Sequence, residues 1–318
     1  MSAGPREIDR AAEVLRAGGL VAFPTETVYG LGADASSPDA VHRLFAVKGR
    51  PPDHPVIVHL GDADLLDEWA TAVPDAARVL TRACWPGPLT VVVRRAGRVP
   101  DAVTGGLDTV GLRVPDQPVA RALLRAFGRG VAAPSANRFG RVSPTTAADV
   151  RADLGDDVDF VLDGGPCRVG VESTIVDCSG HQPAILRVGG VTRARVEELL
   201  GVDVPVLSDG EVRAPGTLAS HYAPAARVEL VGAGGVGARV DAALARGERV
   251  GVMGATAADP RVVGLGTPVD ALAYAHDLYR MLRAADEHSL DVVLAVPPPE
   301  AGLGAAVADR LRRAAGPR

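Results

Sequence analysis

Apolar residues near the start of the chain recur every three or four positions over residues 8–15, and further on they form short runs. The first pattern predicts an amphipathic helix over about 6–17 that ends at Gly18 and Gly19. The short runs predict strands at 20–23, 56–60, 89–93, 109–114, 130–133, 160–162, 173–176 and 184–188. Further helices are predicted at about 38–47, 117–128, 145–153 and 192–200. Because strands and helices are mixed without a strict βαβ repeat, this part predicts a twisted mixed sheet of the α/β (α+β) class.

The C-terminal third has a different pattern. Residues 203–225 show little periodicity and are rich in proline and glycine, which predicts a linker. Beyond it, strands are predicted at 227–230, 249–253, 262–264 and 291–296, with helices near 236–246, 269–285 and 303–314. The sequence therefore predicts a first domain over 1–202, a linker over 203–225 and a smaller Rossmann-like parallel α/β domain over 226–318.

Composition narrows the class of protein. Hydrophobic residues make up 47% of the 318 residues and aromatic residues only 3%, so the core should consist of Val, Leu and Ala. The net charge is −5 and neither half is basic, which disfavours a broad nucleic-acid-binding surface. Three cysteines, far apart in the sequence, argue against a disulfide framework and a structural zinc site. Neither a signal peptide nor an apolar run of about 20 residues is present, so we expect a cytoplasmic protein without a membrane span.

Two residue types occur once each. Lys48 is the only lysine and Asn137 the only asparagine. Arginine replaces lysine wherever a long positive side chain suffices, so a lone lysine indicates a place that needs a compact ammonium group. The alternative is that a depleted residue type leaves its last copy at an ordinary position. Both residues lie in polar, loop-like segments, and they nominate a site there.

One glycine motif points elsewhere. Residues 232–237 match G-x-G-x-x-G between a predicted strand and a predicted helix, which is typical of a dinucleotide-binding turn. Glycine is abundant in this chain, and the next strand does not end in the expected acidic residue. We therefore favour a flexible turn at this position.

Two polar clusters in the first half are candidate ligand sites. Thr25, Glu26 and Thr27 beside a glycine turn could hold a small polar ligand, or could form a solvated turn. Lys48 and Arg50, with glycine and prolines around them, form a rigid cationic element suited to a polyphosphate. His59 closes the following strand and could contact a carboxylate, although a lone histidine is more often structural.

Three further clusters lie at strand ends. Arg113 stands on an otherwise apolar strand, and a buried arginine needs an anionic partner or ligand. Residues 133–137 combine small side chains with polar groups, and Ser143 after them is either a ligand contact or a helix cap. The last cluster comprises Ser173 and its neighbours over 170–177, together with Arg187, which ends another apolar strand. No nucleophile–base pair, metal triad or P-loop is present. The clusters instead supply several cations and many hydroxyl groups, which suits binding of a nucleotide and a small acid in one pocket.

Taken in order, these segments resemble the YrdC-like family, specifically the threonylcarbamoyl-AMP synthases. The matching motifs are P-T-E-T-V-Y-G-L-G, K-G-R-P with P-V-I-V-H, W-P-G-P-L-T, G-L-R-V-P, A-P-S-A-N with S-P-T, and E-S-T-I-V-D, over roughly residues 8 to 200. The segments 215–216, 221–224 and 301–304 are similar to those of the family's long, two-domain form. His54 stands where the family pattern has asparagine, and residues 217–220 lack the usual basic residue.

The resemblance implies a YrdC-like catalytic domain and a reaction in which L-threonine, bicarbonate and ATP give threonylcarbamoyl-AMP and pyrophosphate. It implies threonine contacts from Thr27, His59, Arg113, Ala133 and Ser173. It implies nucleotide contacts from Arg50, His54, Thr109, Ser135, Asn137, Ser143, Arg187 and Tyr222. Lys48 and Arg50 are expected to hold the triphosphate as the catalytic cations, with Mg²⁺ arriving on ATP rather than on protein ligands. Tyr222 could fold over the site, which would make the linker a lid.

The expected product serves a separate transferase that modifies the adenosine next to the tRNA anticodon, so tRNA is an indirect partner. Two other readings stay open at this point. One is carbamoyl-adenylate formation with carbamoyl transfer, against which the lack of zinc-finger cysteines counts. The other is an RNA-binding module, which the acidic charge and scarce aromatic residues disfavour.

Overall fold

The computed structural model describes residues 3–207 and 222–316. Its helices are α1 (Pro5–Arg16), α2 (Pro38–Lys48), α3 (Leu66–Trp69), α4 (Asp75–Cys84), α5 (Asp101–Thr104), α6 (Pro118–Phe127), α7 (Ala147–Leu154), α8 (Arg193–Leu200), α9 (Val236–Ala245), α10 (Ala271–Glu287) and α11 (Gly304–Ala314). Its strands are β1 (Val21–Phe23), β2 (Gly30–Asp34), β3 (Val58–His59), β4 (Leu89–Arg94), β5 (Thr109–Arg113), β6 (Val131–Ala132), β7 (Phe160–Val161), β8 (Thr174–Asp177), β9 (Ala184–Arg187), β10 (Arg227–Leu230), β11 (Val250–Met253), β12 (Val263–Gly266) and β13 (Val292–Ala295).

The chain forms two compact units, and the first contains a nine-stranded sheet in the order β7-β1-β2-β6-β3-β5-β4-β8-β9. Parallel pairs such as β4 with β8 lie beside antiparallel pairs such as β4 with β5. The mixed α/β class expected from the sequence is therefore confirmed.

The two faces of this sheet are covered differently. On one face, Leu112, Val91 and Val176 belong to a large apolar core that also contains Leu44 of α2 and Leu80 of α4. The other face has a second core, in which α1 and α6 pack over the β1 and β6 end. Toward β4, β8 and β9, the described residues form a small cluster on that face, made of Ile57, Ile175 and Leu186 with partly buried Val92 and Leu207.

Four elements were not predicted from the sequence: strand β2 and helices α3, α4 and α5. Residues 24–32 were predicted to form a loop, but Gly30–Asp34 is strand β2, because it pairs with both β1 and β6. Its glycines permit close approach: a Cβ at Gly32 would lie 2.8 Å from Val131 Cγ1. Helix α4 was not predicted, although Ala77, Leu80 and Thr81 give it a buried stripe with helical spacing.

The second unit contains the four-stranded sheet β10-β13-β11-β12, whose pairs are all parallel, as the sequence predicts. Residues 140–143 and 169–171 also belong to it. The Arg283 guanidinium donates to the Val142 carbonyl (2.7 Å), and the Ala223 amide donates to Gly140 (3.1 Å). The glycine motif at 232–237 forms a short 3₁₀ turn, Ala233–Gly235, that leads into α9.

The predicted linker has ordered contacts at the ends that the structure describes. The Ile185 amide donates to Pro205, and the Leu207 amide donates back to Ile185, so residues 205–207 continue alongside β9. Residues 222–225 belong to the second unit. The central part of the predicted linker, 208–221, lies outside the described residues. No helix within 3–207 or 222–316 has the length and apolar character that a membrane crossing requires.

Gly170 supplies a stability prediction. Its φ is +80°, and a Cβ there would lie 2.3 Å from the Ala275 carbonyl oxygen and 2.6 Å from His276 Cα in α10. Gly170→Ala should lower the free energy of unfolding by about 2–4 kcal/mol, because left-handed strain and backbone overpacking add. Gly18→Ala is the matched control, since Gly18 has φ +81° and nothing within 4 Å of its Cβ position. It should cost only about 1–2 kcal/mol. Equal losses in urea unfolding would contradict the overpacking.

Candidate active site

The register of the first sheet brings predicted site residues onto one face. Arg113 pairs with His59, Gly111 with Val92, and Arg187 with Ile175. Residues directly paired across strands share a face, and so do residues two apart on one strand. The predicted site residues on or next to this face are His59, Thr109, Arg113, Ala133, Ser173 and Arg187. Within residues 3–207, α1 and α6 cover only part of this face, toward β1 and β6, and these side chains lie beside that part.

Arg113 is buried together with a carboxylate. Its Nη2 donates to Glu26 Oε1 at 2.7 Å and to Thr27 Oγ1 at 3.0 Å, and its Nε donates to the Gly87 carbonyl at 3.3 Å. The side chains of Arg113 and Glu26 are 4% and 1% exposed. The P-T-E-T loop is therefore not a solvated turn. Thr27 and Arg113, both predicted to bind threonine, are in direct contact.

His59 is buried beside this pair. Its ring stands edge-on to Phe23, with centroids 5.8 Å apart, and its Nδ1 is buried without a hydrogen-bond partner in the part of the chain the structure describes. Burial, and then the positive charge of Arg113, lower the pKa of His59 to about 3. His59 is thus a neutral imidazole at physiological pH.

This pKa predicts a pH dependence of stability. His59 binds a proton at its usual pKa of 6.5 when the chain is unfolded, but only near pH 3 when folded. The unfolded state then holds more protons between these values, so His59 lowers stability as the pH falls below 6.5, by at most about 1.4 kcal/mol per pH unit. Urea unfolding of His59→Leu at several pH values should show a shallower loss than wild type. His42→Leu, at an exposed histidine, should keep the wild-type slope; a wild-type slope in His59→Leu would contradict the assignment.

Ser173 and Arg187 form a second polar group on the same face. Arg187 donates from Nε (3.1 Å) and Nη2 (2.9 Å) to the Ser173 carbonyl, and from Nη2 to Ser173 Oγ (3.1 Å). Ser173 Oγ also lies 2.8 Å from Thr90 Oγ1. Thr90 lies in the W-P-G-P-L-T motif but was not predicted for the site. Side chains alternate between the two faces along β4, and this periodicity is the signal that could have identified Thr90.

Lys48 joins two motifs. It ends α2, whose first turn is capped by Ser37 and whose last is closed by Gly49 at φ +65°. The buried ammonium donates to the carbonyls of Ser135 (2.6 Å) and Asn137. Burial, and then the charge of Arg50, place the pKa of Lys48 well below its usual value. The lone lysine and the lone asparagine are therefore in contact.

Arg50 and His54 lie just after α2. Arg50 is buried, donates from Nη2 to the Pro55 carbonyl at 2.8 Å and lies over the Phe45 ring. The His54 ring stands edge-on to Phe139, 5.9 Å between centroids. The Phe139 amide donates to the Lys48 carbonyl at 2.8 Å, which ties this region to the loop that carries Asn137.

An apolar area around Gly111 continues from the polar end of the face. Gly111 and Val92 are half-buried, and a Cβ on Gly111 would be 3.4 Å from Thr90 Cγ2 and 3.6 Å from Ile57 Cγ1. Ile175 and Leu186 complete the floor. Thr109 lies four residues from Arg113 on the same side of β5, about 13 Å away at the usual strand rise. The face therefore has a polar end at Arg113 and an apolar area at Gly111, where no side chain stands.

Two predicted site residues belong to the second unit. Ser143 is fully buried there, and it does not cap the next helix, because Thr146 caps α7. Tyr222 is 1% exposed and has φ +63°; its ring lies 5.7 Å from Tyr279 and 5.3 Å from the Arg310 guanidinium. The lid stays a prediction, because most of the linker, 208–221, lies outside the described residues.

The possible metal ligands and the cysteine thiols were also located. Within residues 3–207 and 222–316, no three His, Cys, Asp or Glu side chains are grouped so that they could hold a metal ion. Burial raises the pKa of the Cys167 thiol, and Cys84, Cys167 and Cys178 are all free thiols.

Two family models match the chain. One, described as "Telomere recombination" (Sua5_yciO_yrdC), matches residues 13–189, and one described as "Threonylcarbamoyl-AMP synthase, C-terminal domain" matches residues 191–316. The threonylcarbamoyl-AMP synthase of Pyrococcus abyssi is 41% identical over 97% of this chain and 94% of its own length. That of Bacillus subtilis is 39% identical over 100% and 95%. A crystal structure of P. abyssi Sua5 complexed with L-threonine matches with a TM-score of 0.89 at 40% identity, covering 97% of this chain and 94% of that one.

The fold and the matched models define a YrdC-like domain followed by a Sua5-type C-terminal domain. The chain belongs to the threonylcarbamoyl-AMP synthase family, in its long two-domain form.

Proposed function

We propose that this protein catalyses the formation of threonylcarbamoyl-AMP and pyrophosphate from L-threonine, bicarbonate and ATP. The observation that carries the proposal is the single sheet face on which a polar end built around Arg113 adjoins an apolar area at Gly111, which we take as the adenine groove. A small carboxylic acid fits the first part and a flat base fits the second. Family membership at 41% identity over nearly the whole chain supports the same reaction.

The polar end takes threonine in this proposal. Arg113 binds the carboxylate, and Thr27, His59 and Ser173 contact the rest of the amino acid, with Ala133 leaving room beside it. A neutral His59 can both donate and accept a hydrogen bond, so it can contact the substrate's amine or hydroxyl without repelling a cation. The threonine complex of P. abyssi Sua5 supports an amino-acid site in this fold.

The groove and the loops beside it take ATP. The adenine lies over Gly111, and Thr109 contacts it at the end away from Arg113. Arg187 binds a phosphate group beside Ser173. Arg50 supplies charge to the triphosphate, and Lys48 keeps the loop with Ser135 and Asn137 in place beside it. The remaining proposed nucleotide contacts are His54, Ser143 and Tyr222.

The chemistry needs no protein nucleophile. The threonine amine and bicarbonate give a carbamate with loss of water, and a carbamate oxygen attacks the α-phosphorus of ATP. The bond from that phosphorus to the bridging oxygen breaks, and pyrophosphate leaves. The protein aligns the carbamate with the α-phosphate and stabilises the negative charge that develops. Mg²⁺ enters on the ATP phosphates, which are its usual ligands in such sites.

The product is an activated acyl-adenylate, so it must be consumed by an acyl transfer. We propose that a separate transferase moves the threonylcarbamoyl group to the adenosine next to the tRNA anticodon.

Pyrophosphate release measured with each substrate omitted in turn tests the activity. Release should need ATP, threonine and bicarbonate together, and threonylcarbamoyl-AMP should be the product by mass spectrometry. Equal release without threonine would contradict the proposed reaction. Tight tRNA binding with a steep salt dependence and no turnover would favour an RNA-binding module instead.

A further inference from the structure

Glu26 lies in the P-T-E-T loop, and both of its carboxylate oxygens accept hydrogen bonds. Its Oε1 accepts from Arg113 Nη2 at 2.7 Å, and its Oε2 accepts from the Asp116 backbone amide at 3.0 Å. With 1% of its side chain exposed, it is closed off from solvent. Each carboxylate oxygen therefore faces one donor, and the two donors come from β5 and from the turn that follows it.

The hydrogen bonds of Arg113 involve two of the three nitrogens of its guanidinium group. Nε donates to Gly87, and Nη2 donates to Glu26 and Thr27. Nη1 makes no hydrogen bond to any residue in 3–207 or 222–316, and it is not among the enclosed polar atoms without partners. Nη1 is therefore the accessible end of a guanidinium group whose other two nitrogens are held by three acceptors.

From this geometry we propose that Glu26 is a positioning residue for substrate recognition: it locks Arg113 so that Nη1 is presented to the carboxylate of the amino-acid substrate. The inference rests on the proposed function, since it takes the carboxylate of threonine as the ligand. Glu26 itself does not touch the substrate. A rigid arginine loses little conformational entropy on binding, so a single presented end can still bind well.

Glu26→Gln tests this with almost no change in shape. An amide accepts at only one atom, so one of the two converging donors meets an NH₂ group, and Arg113 or the Asp116 turn must shift. Binding of L-threonine and of L-threoninol, which lacks the carboxylate, would be measured by titration calorimetry. Wild type should prefer threonine, and Glu26→Gln should lose at least about tenfold of that preference. The KM for ATP should stay within about threefold of wild type.

The control is Glu68→Gln, which makes the same chemical change at an exposed ion pair with Arg98; the preference for threonine should be unchanged. If Glu26→Gln folds poorly, Glu26→Asp keeps both acceptors but is one methylene shorter, and it should lower the same preference. An unchanged preference in a folded Glu26 variant, or equal losses for both ligands, would overturn the positioning role. A wild-type protein that neither binds threonine nor releases pyrophosphate would instead contradict the proposed function.

Discussion

Lys48→Arg is expected to lower kcat/KM for threonine-dependent pyrophosphate release by about 100-fold, the loss that follows from a displacement of about 1 Å at an active site. The ammonium of Lys48 is buried and donates to two backbone carbonyls of one loop. A guanidinium is planar and larger, so it cannot fill the same space without moving Ser135 or Asn137. Overpacking should also lower the free energy of unfolding by about 1–3 kcal/mol.

The comparison uses Arg125→Lys, an arginine–lysine exchange at an exposed pair with Asp62. That variant should retain its activity and stability within about 0.5 kcal/mol, as surface exchanges usually do. Lys48→Met completes the set: it leaves both carbonyls without the ammonium and should be at least as impaired as Lys48→Arg. Full activity in Lys48→Arg would mean that the single lysine is an accident of composition.

Gly111→Leu is expected to lower kcat/KM for ATP by at least about 100-fold, that is by roughly 2.7 kcal/mol. Gly111 is half-buried on the floor of the groove, and its φ is not in the left-handed region, so a side chain is tolerated by the backbone. A leucine side chain would occupy the space proposed for the adenine. Threonine affinity, measured by calorimetry without ATP, should change little because Arg113 lies two residues away.

Gly111→Ala is the matched control for the groove. Its Cβ would meet Thr90 and Ile57 at 3.4 and 3.6 Å, which are ordinary van der Waals distances. ATP kinetics should then stay within about threefold of wild type. ATP kinetics that are unchanged in Gly111→Leu would place the adenine elsewhere, and a threonine affinity that falls in parallel would indicate a general disturbance of the sheet.

Much of this fold follows from local sequence patterns. The period of apolar residues predicts α1, α2, α6 and the strands around Arg113, and the small parallel sheet of the second unit. Strand β2 escapes prediction because Gly30–Asp34 has no β-branched residue. It forms because β1 and β6 pair with it, and the pairing with β6 joins residues about a hundred positions apart. No local pattern carries such information.

The candidate site divides in the same way. The ordered motifs alone point to the family and nominate Thr27, His59, Arg113, Ser173 and Arg187. They cannot show that Glu26 pairs with Arg113, since the two are 87 positions apart. Nor can they show that Tyr222 packs against Tyr279 and Arg310, because that packing depends on helices far along the chain.

By itself, the sequence determined most of the elements, the class of the fold and the family, and it nominated the single lysine and the single asparagine. These are properties of composition and of short ordered motifs, which act over a few residues. Only the tertiary structure decided that Lys48 and Asn137 touch, that Glu26 pairs with Arg113 and that Gly111 lies on the same face as Arg113. Those contacts depend on strand register, where a shift of one residue would turn each side chain to the opposite face of the sheet.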